Sequence, residues 1–454
     1  MDVHSTHACT PRTPRGRRHA RRATALLALG AATALAISGC AAGGGSGDSD
    51  DGGDKTLSVW LPGTNQAEID LVTDTIVPAF EEETGAEVEV TYVDWGDIST
   101  KLNSAFAAGT APDIFGHGPA ATADFVANDR ILDLDDRVAE LSQADRDDLA
   151  TALPGGQVDG VQYLMPLSLQ GYLVMYDADA FTAAGLDPDS PPTTWEELKD
   201  AAETLTERNG STITRSGFLA PSQAIARQQT FATFLFGEGG TLVNEAGTEA
   251  EFASAEGADA LDFFTSLYTG DDAVSANLGE DYLNAPAAQQ PLVQQTAAMT
   301  IQAPSMMQQI VDAAPDRDLR VMPPLSFEGG DPAAFGGAGP GLMINADSKD
   351  PDLAWSFIEY MLSPEVSTEY TQGTGTIPVR ASAAESDYAK NSPIITAFLA
   401  ASPDFQTNPN VVGWVQVRDA LDKQLERALN GVATSQEALD EAAAEADKIL
   451  GANG

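Results

Sequence analysis

Cysteine, histidine and basic side chains are all scarce in this chain of 454 residues. Cys9 and Cys40 are the only cysteines, and His117 is the only histidine after residue 19. A disulfide framework, a CxxC redox pair, a cysteine zinc site and an HExxH site are therefore excluded beyond residue 40. A Ser-His-Asp triad would have to use His117, and no GxSxG motif accompanies it. We expect neither a bound metal nor a cofactor.

Acidic residues greatly outnumber basic ones, with 68 Asp and Glu against 24 Lys and Arg and a formal net charge of −44. Six of the basic residues and one acidic residue precede Cys40, which leaves −49 on the rest of the chain. A negative field of this strength repels the phosphates of nucleic acids and of anionic lipids. We expect no nucleic-acid partner.

The uncharged apolar run near the start of the chain is too short to span a bilayer. It covers 15 residues, 23–37, whereas a membrane-spanning helix needs roughly 20. Six arginines between residues 12 and 22 precede it, so the sequence predicts a signal peptide over residues 1–39. An uncleaved signal anchor is the alternative, and export by the general or the twin-arginine route stays open.

The signal sequence ends in Ile37-Ser38-Gly39-Cys40, which resembles a bacterial lipobox. The resemblance implies cleavage before Cys40 and diacylation of its sulfur, and hence an exported protein that is lipid-anchored to the outer face of the cell membrane. Residues 40–54 are mostly Gly, Ser and Asp, which predicts a flexible tether.

Strand and helix patterns alternate after residue 55. Apolar residues alternate in 56–61 and 88–92, as in strands, and recur at helical spacing between them. Thr194 and Glu197 form a capping-box pattern that predicts a helix running to about Arg208. The glycine-dense segment 335–341 predicts a break. The order of the patterns indicates an α/β protein with βαβ units and a mostly parallel sheet.

Five segments resemble the extracellular solute-binding proteins of carbohydrate ABC importers, the group that includes maltose- and trehalose-binding proteins. The resemblance covers about residues 56–450. It rests on Leu57–Trp60 with Val77–Glu81, Ala111–Ile114, Met165–Ser168 with Tyr176 and Thr194–Glu197, Ala297–Met299 with Ala303-Pro304, and Gly341–Asn345 with Ala354–Ile358 and Gly375–Pro378.

The resemblance implies a two-lobed, periplasmic-binding-protein-like fold of type II with hinge crossings near Pro166, Gly337 and Gly375. Lobe one would comprise 55–167 plus 338–376, and lobe two 168–337 plus 377–454. The implied function is capture of a sugar in the cleft between the lobes and its delivery to ABC transporter permease subunits. The ligand would be a neutral mono-, di- or short oligosaccharide or a polyol, bound by a monomer without catalysis.

Sugar binding requires planar hydrogen-bonding groups for hydroxyls and flat apolar faces for C–H surfaces. The resemblance implies ligand contacts at Thr64, Asn65, Asp94, His117, Gln170, Ser222, Gln223, Ser305, Gly337, Trp414 and Arg418.

Trp414 and Arg418 are the leading pair among these candidates. They lie one helical turn apart and match a Trp-x-x-x-Arg segment through which relatives stack on and hydrogen-bond their ligand. The alternative is a core tryptophan beside a surface arginine. Trp95 is a further stacking candidate, for which core packing is the alternative.

One departure from the family pattern concerns Ser305. Many relatives have Gly-Pro-Trp where this chain has Ala303-Pro304-Ser305, so a stacking indole is lost and a smaller or more polar ligand is favoured. Three other functions stay open: an exported glycoside hydrolase built from two carboxylates, a surface adhesin, and a binding protein for a phosphate-bearing ligand held by Arg418 and Arg380. The net charge disfavours the last.

Replacing Cys40 with alanine is expected to abolish lipid attachment, because only the sulfur of that residue carries the lipid. The variant should incorporate no radiolabelled palmitate and should be released into the medium or remain unprocessed. Cys9→Ala is the matched control, since Cys9 lies within the predicted signal peptide, and it should label normally. Undiminished label in the Cys40 variant would contradict the assignment.

Overall fold

The structure is a computed structural model that describes residues 56–452. Its strands are β1 (Thr56–Pro62), β2 (Glu87–Val93), β3 (Ile114–His117), β4 (Gln157–Val158), β5 (Val161–Gln162), β6 (Met165–Pro166), β7 (Leu169–Gly171), β8 (Leu173–Asp177), β9 (Glu207–Asn209), β10 (Thr212–Leu219), β11 (Ala297–Gln302), β12 (Leu319–Val321), β13 (Ala334–Ala338), β14 (Gly341–Ile344) and β15 (Phe405–Gln406).

The α-helices alternate with these strands and dominate the last hundred residues. They are α1 (Gln66–Leu71), α2 (Val77–Thr84), α3 (Ile98–Ala108), α4 (Thr122–Ala127), α5 (Asp135–Glu140), α6 (Gln143–Leu149), α7 (Ala178–Ala184), α8 (Trp195–Leu205), α9 (Ala226–Gly237), α10 (Ala255–Tyr268), α11 (Pro304–Ala313), α12 (Pro351–Met361), α13 (Pro364–Thr374), α14 (Asp387–Asn391), α15 (Pro393–Ala401), α16 (Trp414–Leu429) and α17 (Ser435–Gly451). In the described part of the chain, every helix is too short or too polar to cross a membrane.

The first sheet has the strand order β2-β1-β3-β14-β6. β1 pairs in parallel with β2 and β3, because helices return the chain to the same edge after each strand. A π-helical turn, Val72–Ile76, joins α1 to α2 just before Pro78, whose missing N–H forces a wider turn. The parallel arrangement brings the carboxyl ends of β1, β2 and β3 to one edge.

The second sheet has the order β12-β8-β11-β10-β9 and differs from the mostly parallel sheet expected from the sequence. Only β10 and β11 pair in parallel, whereas the other neighbours are antiparallel. The expected helix extending to Arg208 is also too long. It ends at Leu205 because Glu207–Asn209 pairs with β10.

A third, connecting sheet has the order β15-β13-β7. The expected break at 335–341 is wrong, because most of this segment forms β13 and the start of β14. Gly336 in β13 pairs with Gly171 in β7, and the Phe405 ring covers both. A Cβ atom on Gly336 would lie 2.5 Å from Phe405 Cγ. The glycines are therefore what allows the ring to pack directly on the strands.

Hydrophobic clusters lie on both faces of each large sheet. One joins the second sheet to α9, α10, α16 and α17, and another joins the first sheet to α12, α13 and α15. A smaller cluster of Phe106, Phe115 and Phe125 covers the opposite face of the first sheet. The two sheets and their connection agree with a division into halves.

The exact boundaries between the halves stay a prediction. Arg380, assigned to lobe two from the sequence, is buried and pairs with Asp145 and Asp148 of α6 at 2.9 and 3.0 Å. In contrast, α15 lies against β12 and α11. The segment after Gly375 thus contacts elements of both halves.

Gly336→Ala is expected to destabilise the protein by about 1–3 kcal/mol, because the added methyl group would collide with the Phe405 ring. Chemical denaturation would measure the loss. Gly118→Ala is the matched control, since a Cβ atom there meets nothing within 4 Å. Equal stability of the two variants, or strict additivity of Gly336→Ala with Phe405→Ala, would refute the contact as the cause.

Candidate ligand-binding site

An exposed indole stands at the edge where β1, β2 and β3 end. Trp95 follows β2 and its side chain is 45% exposed, unlike most large apolar residues of the described chain. Its Nε1 lies 3.7 Å from the point that a Cβ of Gly63 would occupy, and its ring meets His117 edge-on at 6.0 Å. The three loops after these strands therefore converge around one flat aromatic face.

His117 is buried beneath this indole, and its two ring nitrogens are occupied. Nδ1 accepts the backbone N–H of Gly118 at 2.9 Å, so the proton lies on Nε2, which donates to Ser99 Oγ at 3.0 Å. Burial, with a smaller contribution from the positive charge of Arg418, lowers the pKa of His117 to about 4. The imidazole is neutral at physiological pH and supports Trp95 with its ring edge.

The other candidates at this edge partly serve to cap the local backbone. Asn65 Oδ1 accepts from the N–H of Ala67 at 3.1 Å and caps α1, and Asp94 Oδ1 accepts from the N–H of Gly96 at 2.8 Å. Thr64 is exposed. Thr64 and Asn65 directly follow Gly63, and Asp94 directly precedes Trp95, so these side chains belong to the loops that carry the indole.

A small cavity of about 10 Å³, with room for about one water molecule, lies between α9 and the point where the connecting sheet meets the second sheet. It is lined by Tyr172, Pro221, Ala226, Gln229, Thr230, Thr233, Leu283, Ile301 and Phe335. Its lining combines two aromatic rings with hydroxyl and amide groups, which are the groups that bind carbohydrates, but the cavity in this structure is far smaller than a sugar ring.

Sequence reasoning named none of the residues that line this cavity, among them Tyr172, Gln229 and Thr230. A signal was present, because Gln229, Thr230 and Thr233 place polar side chains within one turn of a phenylalanine-rich helix. Tyr172 comes directly after Gly171, the last residue of β7, and burial raises the pKa of its hydroxyl.

Ser222 and Gln223 lie beside this pocket, next to Pro221, and most of their polar groups bond within the protein, whereas Gln223 Oε1 is buried without a partner. Ser222 is buried, and its Oγ accepts from the Tyr268 hydroxyl at 3.0 Å and from the Gly279 N–H at 2.9 Å. Gln223 Nε2 donates to Asp281 at 3.2 Å. Both residues therefore fix the loop after β10, and their assignment as ligand contacts stays a prediction.

Two further candidates, Gln170 and Gly337, lie in the connecting sheet, whereas Ser305 lies in α11. Gln170 and Gly337 are register partners in the connecting sheet, and Gly337 has a φ of 129°, which glycine adopts without strain. Ser305 lies in the first turn of α11, with its Cα 3.2 Å from the point that a Cβ of Gly375 would occupy. The structure places Ser305 against that crossing rather than among the pocket residues.

The expectation that Trp414 presents a stacking face is wrong for this structure. The side chain is 0% exposed and packs in the core with Val417 and Leu421, because it faces the second sheet from the first turn of α16. Its Nε1 has no hydrogen-bond partner. Trp95, for which core packing was the alternative, is the exposed indole instead.

Arg418 remains partly accessible at the start of α16. Its guanidinium contacts Asp419 at 2.9 Å, its side chain is 24% exposed, and its charge acts on His117. The N–H of Gly413 donates to Asp124 Oδ1 at 2.7 Å, which ties the start of α16 to α4. Arg418 is therefore a candidate from the second half whose charge reaches His117 of the first sheet.

The family model of the bacterial extracellular solute-binding proteins matches residues 75–397, and the chain belongs to this family. An ABC transporter solute-binding protein from Thermotoga lettingae, solved with α-D-tagatose, is 26% identical with a TM-score of 0.76, and the match covers 87% of this chain and 100% of that one. The expected two-lobed periplasmic sugar-binding fold is thereby confirmed.

Curated relatives bind chemically different solutes. The diacetylchitobiose binding protein DasA of Streptomyces coelicolor is 25% identical over 82% of this chain and 86% of its own length. The sn-glycerol-3-phosphate-binding periplasmic protein UgpB of Escherichia coli K12 is 24% identical over 87% and 92% respectively. These relatives are named as binding proteins and not as enzymes.

Stability is expected to fall with decreasing pH between about 6.5 and 4 because of His117. In that window the histidine of the unfolded chain takes up a proton, whereas the folded one, with its pKa of about 4, does not. The free energy of unfolding is therefore highest above pH 6.5 and falls by about 3 kcal/mol at most as the pH drops to 4. His117→Gln lacks this titration. Chemical denaturation at several pH values should show the unfolding free energies of the wild type and His117→Gln converging as the pH falls. Parallel pH profiles would contradict the assignment.

Proposed function

We propose that this protein captures a neutral sugar between its lobes and delivers it to the permease subunits of an ABC importer. It acts as an exported monomer that a lipid on Cys40 holds at the outer face of the cell membrane. The family membership supports solute binding, and the site chemistry described above supports a carbohydrate as the solute.

The exposed indole of Trp95 is the observation that carries this proposal. A tryptophan side chain that is 45% exposed leaves apolar surface in water, which stacking against the C–H face of a sugar ring would cover. The indole nitrogen lies next to Gly63, and the ring makes a perpendicular contact with His117. The hydroxyl and carboxylate groups of Thr64 and Asp94 lie beside it and suit sugar hydroxyls.

A phosphate-bearing ligand is disfavoured by the engagement of the arginines. Arg380 is 4% exposed and donates to Asp145, Asp148 and the carbonyl of Leu362. Of these two arginines, only Arg418 would be accessible to a phosphate, and its guanidinium is already paired with Asp419. A dianion would lose its hydration without sufficient compensation in so acidic a protein.

Binding without turnover is the second part of the proposal. The only histidine of the described chain is neutral, buried and bonded at both ring nitrogens, so it is a poor general base. A surface adhesin would have no use for a pocket lined by polar and aromatic groups beside a connecting sheet. We therefore place binding ahead of both the hydrolase and the adhesin functions.

Trp95→Ala is expected to weaken sugar binding about five- to thirtyfold, a loss of about 1–2 kcal/mol from the stacking face. A calorimetric titration should start from a panel that includes tagatose and diacetylchitobiose. Trp95→Phe should retain most of the affinity, and Val432→Ala, at another exposed apolar residue, should retain all of it. Binding of no sugar by the wild type, or unchanged affinity in Trp95→Ala, would refute the proposal.

A further inference from the structure

The segment between β15 and α16 forms hydrogen bonds with both halves of the protein. On the side of the second sheet, Asn408 Oδ1 accepts from Gln228 Nε2 of α9 at 2.9 Å. On the side of the first sheet, Asn410 Oδ1 accepts from the N–H of Ala123 in α4 at 2.9 Å, and its Nδ2 donates to the carbonyl of Gln157 in β4 at 2.8 Å. The segment therefore joins the halves at a place outside the connecting sheet.

Asp124 of α4 caps helix α16 from the opposite half. Gly413 directly precedes α16 and has no side chain that could accept from the free backbone N–H groups at the start of the helix. Asp124 Oδ1 accepts from the N–H of Gly413 at 2.7 Å and places a negative charge at the positive end of the helix. Burial raises the pKa of Asp124, and the hydrogen bond from Gly413 offsets part of this rise. The carboxylate thus gives up part of its hydration to make the contact.

Apolar side chains pack across the same contact. Val415 of α16 packs against the cluster on the first sheet that contains Phe106, Phe115 and Phe125. In the opposite direction, Ala120, just before α4, packs against the cluster of the second sheet. The polar contacts described above therefore belong to a packed interface between the halves, where a hydrogen bond is stronger than at an exposed surface.

The cavity beside the connecting sheet is too small for a sugar ring when the halves lie as they do in this structure. It measures about 10 Å³ and is lined by Tyr172 and Thr230, and a second cavity, lined by Trp195, has the same volume. Sites for small molecules usually measure about 300–1,000 Å³. Under the proposed function a sugar binds between the halves, so the halves have to move apart to admit it. This movement breaks the contacts of Asp124 and Asn410.

We propose that Asp124 and Asn410 form an autoinhibitory latch, which holds the two halves in a closed arrangement that excludes the sugar. The inference rests on the proposed function and adds to it a contact within the protein that competes with the ligand. Because the sugar binds only when the latch is broken, its apparent affinity is reduced in proportion to the fraction of molecules that are open. Removing the latch should therefore raise the sugar affinity, whereas removing a ligand contact would lower it.

The first measurement follows the separation of the halves without any ligand. Spin labels on Lys101→Cys in α3 and Val432→Cys after α16, both at exposed positions, report this separation by pulsed electron paramagnetic resonance. The sample is the full chain in detergent. Proteins that carry only one of the two substitutions give the background from Cys9 and Cys40.

Asp124→Ala and Asn410→Ala should each shift the measured distances to larger values, because each removes hydrogen bonds between the halves. In calorimetry with the best-binding sugar of the panel, both variants should bind about two- to tenfold more tightly, the range expected for one lost hydrogen bond. Two controls should stay within twofold of the wild type and keep its distances. Asp124→Asn keeps the acceptor oxygen, and Asp136→Ala removes a carboxylate from an exposed position of α5.

Unchanged distances in both alanine variants would overturn the inference. A lower sugar affinity would also overturn it, since the contacts would then belong to the sugar-bound arrangement. A markedly lower melting temperature with unchanged distances would have the same consequence, because the halves would then form one rigid body. If the wild type binds no sugar, the proposed function fails, whereas the distance measurement still decides whether the latch exists.

Discussion

The close approach of β7 and β13 at Gly171 and Gly336 is the constraint on which the rest of the structure depends. These glycines allow the Phe405 ring to lie directly on the paired backbones. β7 leads through Tyr172 into the second sheet, and β13 leads toward β14 of the first sheet. Tyr172 and Phe335, the residues next to the glycines, form one wall of the pocket, so the same contact joins the sheets and shapes the candidate site.

The scarcity of basic residues determines the character of that site. Several of the arginines are held in internal ion pairs, such as Arg227 with Asp422, Arg317 with Asp177 and Arg380 with Asp148. These pairs compensate carboxylates that burial would otherwise leave unpaired. They also leave few cations free for a ligand, which is consistent with a neutral solute recognised by hydroxyl, amide and aromatic groups.

Local sequence signals predicted the helix starts well and the sheet pairing less well. The Thr194–Glu197 capping box forms as expected, and a second one forms at Thr434–Glu437, because their hydrogen bonds join residues three apart in the chain. The antiparallel second sheet and the strands within 335–341 were missed. Strand pairing depends on partners far away in sequence, such as Gly171 for Gly336, and glycine content alone does not reveal them.

By itself the sequence determined the family, the α/β class, the acidic surface and the absence of histidine and cysteine chemistry, since these follow from residue types and local order. Only the tertiary structure decided which tryptophan is exposed. The family resemblance favoured Trp414 as the stacking face, yet the helices packed on the second sheet enclose it, whereas Trp95 is exposed next to Gly63 at a strand edge. Exposure is a property of the packing around a residue, and that packing comes from segments distant in the chain.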